Sequence, residues 1–93
     1  MSRGPCEYCR EHRPLTIDHL ITTAQKRRSI AAARERENPR YKVLACHSCN
    51  VAKGTRLRVP ESHAHLIPEL QALTHGVYAV WDGSVEALRV VVK

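Results

Sequence analysis

Two cysteines occur in the stretch Cys46-His47-Ser48-Cys49-Asn50-Val51-Ala52-Lys53-Gly54, at the same spacing as an earlier pair, Cys6 and Cys9. Each Cys-x-x-Cys turn presents two sulfur atoms, and two such turns supply the four thiolates of a tetrahedral zinc site. A site with four protein ligands has no open position, which is typical of structural zinc. The spacing therefore predicts a structural Zn²⁺ ion held by Cys6, Cys9, Cys46 and Cys49.

The segment between the two pairs is long. It holds 36 residues between Cys9 and Cys46, which is more than a minimal zinc ribbon has. A metal ion would join the two ends of this insertion and contribute folding free energy directly. Two alternatives to zinc stay open: disulfides, which are rare in reducing compartments, and iron, which four thiolates also bind.

The length of 93 residues indicates one domain with a modest core. The chain has no phenylalanine, and its three tyrosines and single tryptophan are scattered along the sequence. We therefore expect a small hydrophobic core that needs a metal staple. The fold class expected from the whole pattern is a small, zinc-stapled α+β domain.

The amino terminus of the sequence lacks the apolar segment of a secretory signal. No run of apolar residues approaches the length of a membrane span. These features predict a cytoplasmic protein without a membrane partner.

Positive charge is concentrated in one part of the chain. Residues 1–58 carry 13 of the 15 lysines and arginines but only 5 of the 9 acidic residues, within a net charge of +6. A basic surface on one unit is typical of proteins that bind a polyanion such as DNA. The alternative is a basic surface that only keeps the protein soluble.

The hydrophobic periodicity predicts alternating strands and helices. Beyond Ser84 the pattern fits a last helix with Val85, Leu88 and Val92 inside, or a hairpin strand over 90–92. The helix from 22 to 37 is strongly basic, with a thin apolar face at Ala24, Ile30, Ala31 and Ala33. The predicted elements are strands at 15–21, 41–45 and 77–81 and helices at 22–37, 50–58 and 60–74.

A second group of residues has the chemistry of a hydrolytic site. A carboxylate at Asp18 and an amide oxygen at Asn50 are ligands that suit Mg²⁺, Mn²⁺ or another hard divalent metal. The neighbouring His19 offers a general base for an attacking water. Regular strand alternation sends Asp18 and His19 to opposite faces, so a shared site requires that the strand end or bulge there. The alternatives are ordinary hydrogen bonds at a strand end and, for Asn50, a helix cap.

The combined motifs resemble those of an HNH endonuclease of the four-cysteine type frequent in bacteriophage and bacterial genomes. The resemblance covers a little over half the chain, and its most specific part is the ending Cys-x-x-Cys-Asn-x-x-Lys-Gly. The residues that carry it are Cys6-x-x-Cys9, Ile17-Asp18-His19 and the stretch from Val43 to Gly54.

The resemblance implies a ββα-metal (His-Me finger) core over residues 1–59, located in the cytoplasm of a bacterial or phage-infected cell. It implies that His19 is the general base, that Asp18 and Asn50 hold the catalytic divalent metal, and that the four cysteines hold zinc. The activity implied is metal-dependent hydrolysis of phosphodiester bonds in DNA.

Two features depart from the family pattern. Tyr41 stands where the family usually has a central asparagine that shapes the loop and orients the base. The predicted basic helix is inserted where many members have a glycine-rich loop. The carboxy-terminal residues 60–93 lie outside the resemblance, and we expect a helix and strand extension that packs on the core or contacts a protein partner.

Several basic residues are candidates for contacts with DNA phosphates. The alternative for each of them is a solvated surface. An alternative for the whole chain is a non-catalytic, zinc-ribbon-like module that binds nucleic acid or a protein. The candidates for DNA contacts are Lys26, Arg27, Arg28, Lys53, Arg56 and Arg58.

Overall fold

The computed structural model describes residues 2–84, which form a small α+β domain. Short 3₁₀ segments at Pro39–Tyr41 and Glu61–Leu66 complete the regular structure. In chain order the elements are β1 (Arg3–Pro5), β2 (His12–His19), α1 (Thr23–Arg28), α2 (Ile30–Glu35), β3 (Lys42–Cys46), α3 (His47–Lys53), β4 (Arg58–Val59), α4 (Ile67–Thr74) and β5 (Ala79–Val80).

Three antiparallel strands form the main sheet, in the order β1-β2-β3. The pairing of β2 with β3 runs from Leu15 opposite Cys46 to His19 opposite Lys42. Helix α3 follows β3 without a loop and packs back on the two strands. The register therefore places Cys46 opposite the middle of β2 and sets the Asp18-His19 dipeptide opposite the first residues of β3.

The carboxy-terminal segment shares one core with the sheet. Leu66 and Leu70 are fully buried, and Tyr78 and Trp81 are nearly so. Strand β5 pairs in parallel with β4, and the ring of Trp81 lies 5.2 Å from that of Tyr8, measured between centroids. Although they are scattered along the sequence, all three tyrosines and the tryptophan are buried.

The prediction of a single helix over 22–37 is wrong, because the structure has two helices there, α1 and α2. Ser29 has extended backbone angles, and its hydroxyl oxygen accepts a hydrogen bond from the backbone N–H of Ala32 at 3.1 Å. Ser29 thus ends α1 and caps α2, the role for which serine is favoured over helix-interior positions. The apolar face also differs from the expectation, since Gln25 and Ala32 are buried while Ile30 is 75% exposed.

The helix predicted at 50–58 lies closer to the cysteine pair than expected. It begins at His47, within the Cys-x-x-Cys turn, and ends at Lys53. Gly54 ends the helix because its backbone angle φ is +55°, a conformation that glycine adopts without a steric penalty. The early start places Asn50 in the middle of α3, which excludes the helix-cap alternative for this residue.

The alternation of residues predicts that Leu15, Ile17 and His19 share the apolar face of strand β2, with Asp18 on the other face. Ile17 is exposed, whereas its neighbour Asp18 is buried. The apolar parity of β2 is therefore wrong at its end, because a charged partner from α3 replaces apolar packing at Asp18.

The helix predicted over 60–74 is divided into a 3₁₀ segment and α4. Pro68 lies in the first turn of α4, where its missing N–H costs nothing. Strand β5 is shorter than the predicted strand at 77–81. The last helix or hairpin predicted beyond Ser84 lies outside the described residues. Within residues 2–84, no helix is long and apolar enough to cross a membrane.

Truncation of Leu70 tests how strongly the carboxy-terminal segment contributes to the core. Leu70→Ala is expected to lower the free energy of unfolding by about 2–5 kcal/mol, because it removes a fully buried side chain and leaves a cavity. Urea unfolding followed by circular dichroism measures the loss. Val77→Ala is the matched control, since Val77 is 82% exposed. Equal stability of both variants would contradict a shared core.

Candidate zinc cluster and candidate catalytic cavity

The four cysteine sulfurs converge at one point of the fold. All four Sγ atoms lie within 4.8 Å of one another, and Cys9 Sγ and Cys46 Sγ are 3.9 Å apart. A tetrahedron with Zn–S bonds of about 2.3 Å has edges of about 3.8 Å. The same separation is far longer than a disulfide bond of about 2.05 Å. The cluster therefore fits a structural zinc ion, with Cys6, Cys9, Cys46 and Cys49 as its ligands.

Backbone hydrogen bonds prepare Cys6 for a metal. The N–H groups of Tyr8 and Cys46 both donate to Cys6 Sγ at 3.4 Å. Burial opposes the thiolate of Cys6, but the backbone N–H groups of Cys46, Cys9 and Tyr8, together with the Cys9 side chain, outweigh it and lower the pKa of Cys6 to about 7. Burial and the neighbouring sulfurs raise the pKa of Cys49. Since metal binding requires four thiolates, it would release the protons that these cysteines otherwise keep.

Tyr8 connects the cysteine cluster with Asp18. It lies between Cys6 and Cys9, and its hydroxyl donates a hydrogen bond of 2.6 Å to Asp18 Oδ2. Burial, together with the negative charge of Asp18, raises the pKa of Tyr8, so the hydroxyl stays protonated and remains a donor. The first Cys-x-x-Cys turn thereby helps to hold the Asp18 carboxylate in place.

Lys53 forms a buried ion pair with Asp18. Its Nζ atom lies 2.7 Å from both carboxylate oxygens of Asp18, and Lys53 and Asp18 are only 1% and 5% exposed. Burial lowers the pKa of Lys53, while the Asp18 charge and hydrogen bonds oppose that effect. The sequence expectation for Lys53, a phosphate contact or a solvated helix face, does not match this position.

His19 lies beside the end of α2 and is held by an acidic side chain. Its Nε2 atom is 3.1 Å from Glu37 Oε2, and Glu37 also contacts Lys42 and Arg36. Hydrogen bonds from His19 and Lys42 lower the pKa of Glu37, so its carboxylate is ionised near neutral pH. An ionised carboxylate accepts the Nε2–H of a neutral imidazole, which leaves Nδ1 as the basic nitrogen.

Asn50 links helix α3 to strand β2. Its Nδ2 group donates to Thr16 Oγ1 at 3.0 Å and to the backbone oxygen of Ile17 at 3.3 Å. Both donated bonds use the amide nitrogen, so the amide oxygen stays available as an acceptor or metal ligand.

One cavity brings the three predicted site residues together. It has a volume of about 190 Å³ and is lined by Asp18, His19, Asn50, Arg36 and Gly54, among others. Asp18 and His19 are both reached from it because β2 ends at His19. The condition set by strand alternation, that the strand end at this dipeptide, is therefore met.

Arg36 and Glu37 are site residues that the sequence did not single out. Arg36 donates to the backbone oxygen of Ile21 at 3.1 Å and to Thr23 Oγ1 at 3.3 Å, which fixes its guanidinium at the cavity. In the sequence, both residues belong to a run of alternating charges at the end of a helix, and no signal there distinguishes them from Arg34 or Glu35.

The other basic candidates occupy different environments. Lys26, Arg27 and Arg28 are exposed and line a shallow surface cavity of about 340 Å³. Arg56 is exposed, and Arg58 is half-buried with one N–H donated to the Leu57 backbone oxygen. Exposed positions of this kind leave the α1 residues and Arg56 accessible to an anionic partner.

Replacement of one cysteine tests whether the sulfur cluster binds zinc. We expect one zinc ion per chain, and we expect Cys46→Ser to lose it and to lose the cooperative thermal transition, because structural zinc contributes folding free energy. Metal analysis and circular dichroism measure the two effects. Ser48→Ala changes an exposed residue of the same turn and should keep the metal. Full zinc content in Cys46→Ser would rule out the four-thiolate site.

Replacement of Lys53 tests the buried ion pair. Lys53→Met is expected to cost about 3–5 kcal/mol of unfolding free energy, because it leaves the Asp18 charge buried without its partner. Lys53→Met combined with Asp18→Asn should recover part of this loss. Urea unfolding gives the values, and Arg56→Met, at an exposed residue, should change stability by less than about 0.5 kcal/mol. A cost for Lys53→Met no larger than that of the control would refute the pair.

No protein-family model, curated protein or solved structure matches this chain. The resemblance to HNH endonucleases accordingly stays a prediction from the sequence motifs. The function of the chain has to follow from its own residues and their geometry.

Proposed function

We propose that this chain is a metal-dependent DNA endonuclease of the HNH type, in which β2, β3 and α3 serve as a ββα-metal core. The observation that carries the proposal is the common cavity lined by Asp18, His19 and Asn50. A carboxylate, an imidazole and an amide at one cavity are the groups that metal-assisted hydrolysis of a phosphodiester requires.

His19 is the general base in this proposal. Glu37 lies 3.1 Å from Nε2 of the imidazole and accepts its N–H in the neutral tautomer that this role requires, which leaves Nδ1 to take a proton from an attacking water. Glu37 therefore has the orienting role that the family pattern gives to the central asparagine. Tyr41 stands at that asparagine position. Its hydroxyl donates a hydrogen bond to Glu69 of α4, so the side chain faces α4 rather than the cavity.

The oxygen donors of the cavity fit a hard divalent cation such as Mg²⁺ or Mn²⁺. An ionised carboxylate offers about four acceptor positions. Lys53 uses one on each oxygen of Asp18, and Tyr8 uses a further one on Oδ2, so one position on Oδ1 remains. Asp18 Oδ1 and the Asn50 amide oxygen would hold the ion. Such an ion, when bound, stabilises the negative charge that develops on the leaving oxygen of the phosphodiester.

The positive surface of α1 supplies binding energy for DNA in this proposal. Lys26, Arg27 and Arg28 are exposed near the amino-terminal half of the insertion, and Arg36 lines the cavity itself. Arg36 is thus placed to hold a non-bridging phosphate oxygen, while the three exposed residues bind flanking phosphates. Contacts of this kind give affinity that falls with salt and carry no base specificity.

A second candidate function is a non-catalytic zinc module that binds nucleic acid or a protein. The buried ion pair between Asp18 and Lys53 favours it, because this pair gives Asp18 a structural role that needs no metal. The two functions differ in one measurable property, which is cleavage of DNA.

Plasmid cleavage in the presence of Mg²⁺, Mn²⁺ or Ni²⁺ tests the proposal. Zinc-loaded protein is expected to nick the plasmid, and His19→Ala is expected to lower the rate by about 10²–10⁴-fold, the usual contribution of a general base. His12→Ala removes an exposed histidine of the same strand and should leave the rate unchanged. Both variants should keep their zinc. An intact plasmid with all three metals would favour the binding module.

A further inference from the structure

The charge balance of the cavity is unusual for a site that binds a divalent cation. Asp18 is the one acidic residue among the described residues that line it, and Arg36 is the one arginine or lysine. Lys53 neutralises Asp18 from behind, with its Nζ atom 2.7 Å from both carboxylate oxygens. Glu37 adds one negative charge beside His19, but Arg36 and Lys42 each lie 3.2 Å from it and balance that charge. In the absence of DNA, the cavity therefore has no net negative charge with which to attract a cation.

Lys53 cannot withdraw from Asp18 at low cost. It is 1% exposed, and it lies on the last turn of α3, which Gly54 ends. A third contact joins Nζ to the backbone oxygen of His19 at 3.4 Å, and the ring of Tyr8 lies 5.9 Å from Nζ. An ammonium group fixed in this position repels a second cation at Asp18, and burial strengthens the repulsion relative to water.

A phosphodiester would supply what the cavity lacks. Each phosphate brings one negative charge and two non-bridging oxygens, which are hard ligands suited to Mg²⁺ or Mn²⁺. Arg36 is held at the cavity by Ile21 and Thr23, and an arginine so fixed favours a phosphate there. The exposed cations of α1 add to the attraction for the DNA backbone.

We propose that Lys53 makes divalent-metal binding depend on DNA, so that the phosphate completes both the charge and the ligand set of the metal site. The inference rests on the proposed function and extends it. The chain alone binds the ion weakly, and the complex with DNA binds it tightly. By linkage, the ion strengthens DNA binding by the same factor. Lys53 is a positioning residue here, since it acts through Asp18.

Titration of Mn²⁺ with and without DNA tests the inference. The sample is the zinc-loaded full chain with His19→Ala, which keeps Asp18 and Asn50 and is expected to cleave about 10²–10⁴-fold more slowly. Free Mn²⁺ is measured by electron paramagnetic resonance. A short DNA duplex is expected to tighten Mn²⁺ binding by about tenfold or more, after subtraction of binding to DNA alone. The same titration with Asn50→Ala added should lose this gain. Equal Mn²⁺ affinity with and without the duplex overturns the inference.

A second pair of variants isolates the role of Lys53. Lys53→Met should raise the Mn²⁺ affinity of the DNA-free protein by about tenfold or more, because it removes the ammonium that competes for Asp18. Arg56→Met removes an exposed cation just beyond the same helix and should leave that affinity unchanged. An unchanged affinity in folded Lys53→Met overturns the inference. If Lys53→Met does not fold, the comparison with and without DNA decides alone.

Plasmid cleavage by the wild-type chain separates this inference from the proposed function. Cleavage together with DNA-independent Mn²⁺ binding overturns the inference and leaves the nuclease intact. Absence of cleavage, with no Mn²⁺ bound in either titration, overturns both.

Discussion

Convergence of four cysteine sulfurs within 4.8 Å is the constraint on which the rest of this fold depends. The two Cys-x-x-Cys turns are separated by 36 residues, so a shared metal would close a long loop and fix its ends. Helix α3 begins inside the second turn, and the first turn carries Tyr8. The sulfur cluster therefore fixes the relative positions of α3 and Tyr8, and through them the place where Asn50, Lys53 and Asp18 meet.

The ion pair of Asp18 and Lys53 is the second constraint, and its burial carries a large desolvation cost. Removing two charges from water costs several kcal/mol per ion, and apolar residues of similar volume often stabilise a core better (by about 1–4 kcal/mol). Three donated hydrogen bonds to the Asp18 carboxylate, two from Lys53 and one from Tyr8, offset part of this cost. A small core has little stability to spare. The metal-binding role proposed for the carboxylate would explain why such a pair lies next to a cavity rather than being replaced by apolar packing.

The spacing of the cysteines was sufficient to predict the sulfur cluster. Each Cys-x-x-Cys turn is formed by neighbouring residues, and a single contact between the two turns completes the cluster. The α+β class also followed from local periodicity. The break at Ser29 could not be predicted, since serine is tolerated within helices and its capping role shows only in its backbone angles. The burial of Lys53 could not be predicted, because the helical pattern shows on which face of the helix Lys53 lies but not which charged residue packs against that face. Asp18, which lies 35 positions away in the chain, becomes its partner only through the pairing of β2 with β3.

The role of Tyr8 shows how the two sites are coupled. Its backbone N–H donates to Cys6 Sγ, its hydroxyl donates to Asp18, and its ring packs on Trp81. Loss of the metal would free the turn that carries Tyr8, so Asp18 would lose a donor and the core would lose an aromatic contact together. The carboxy-terminal segment reinforces this arrangement, because a Cβ atom added at Gly83 would lie 2.9 Å from Cys9 Cβ. A side chain at position 83 would push against the first cysteine turn. The sulfur cluster, the buried carboxylate and the carboxy-terminal segment therefore stabilise one another, and no one of them is an independent addition to the others.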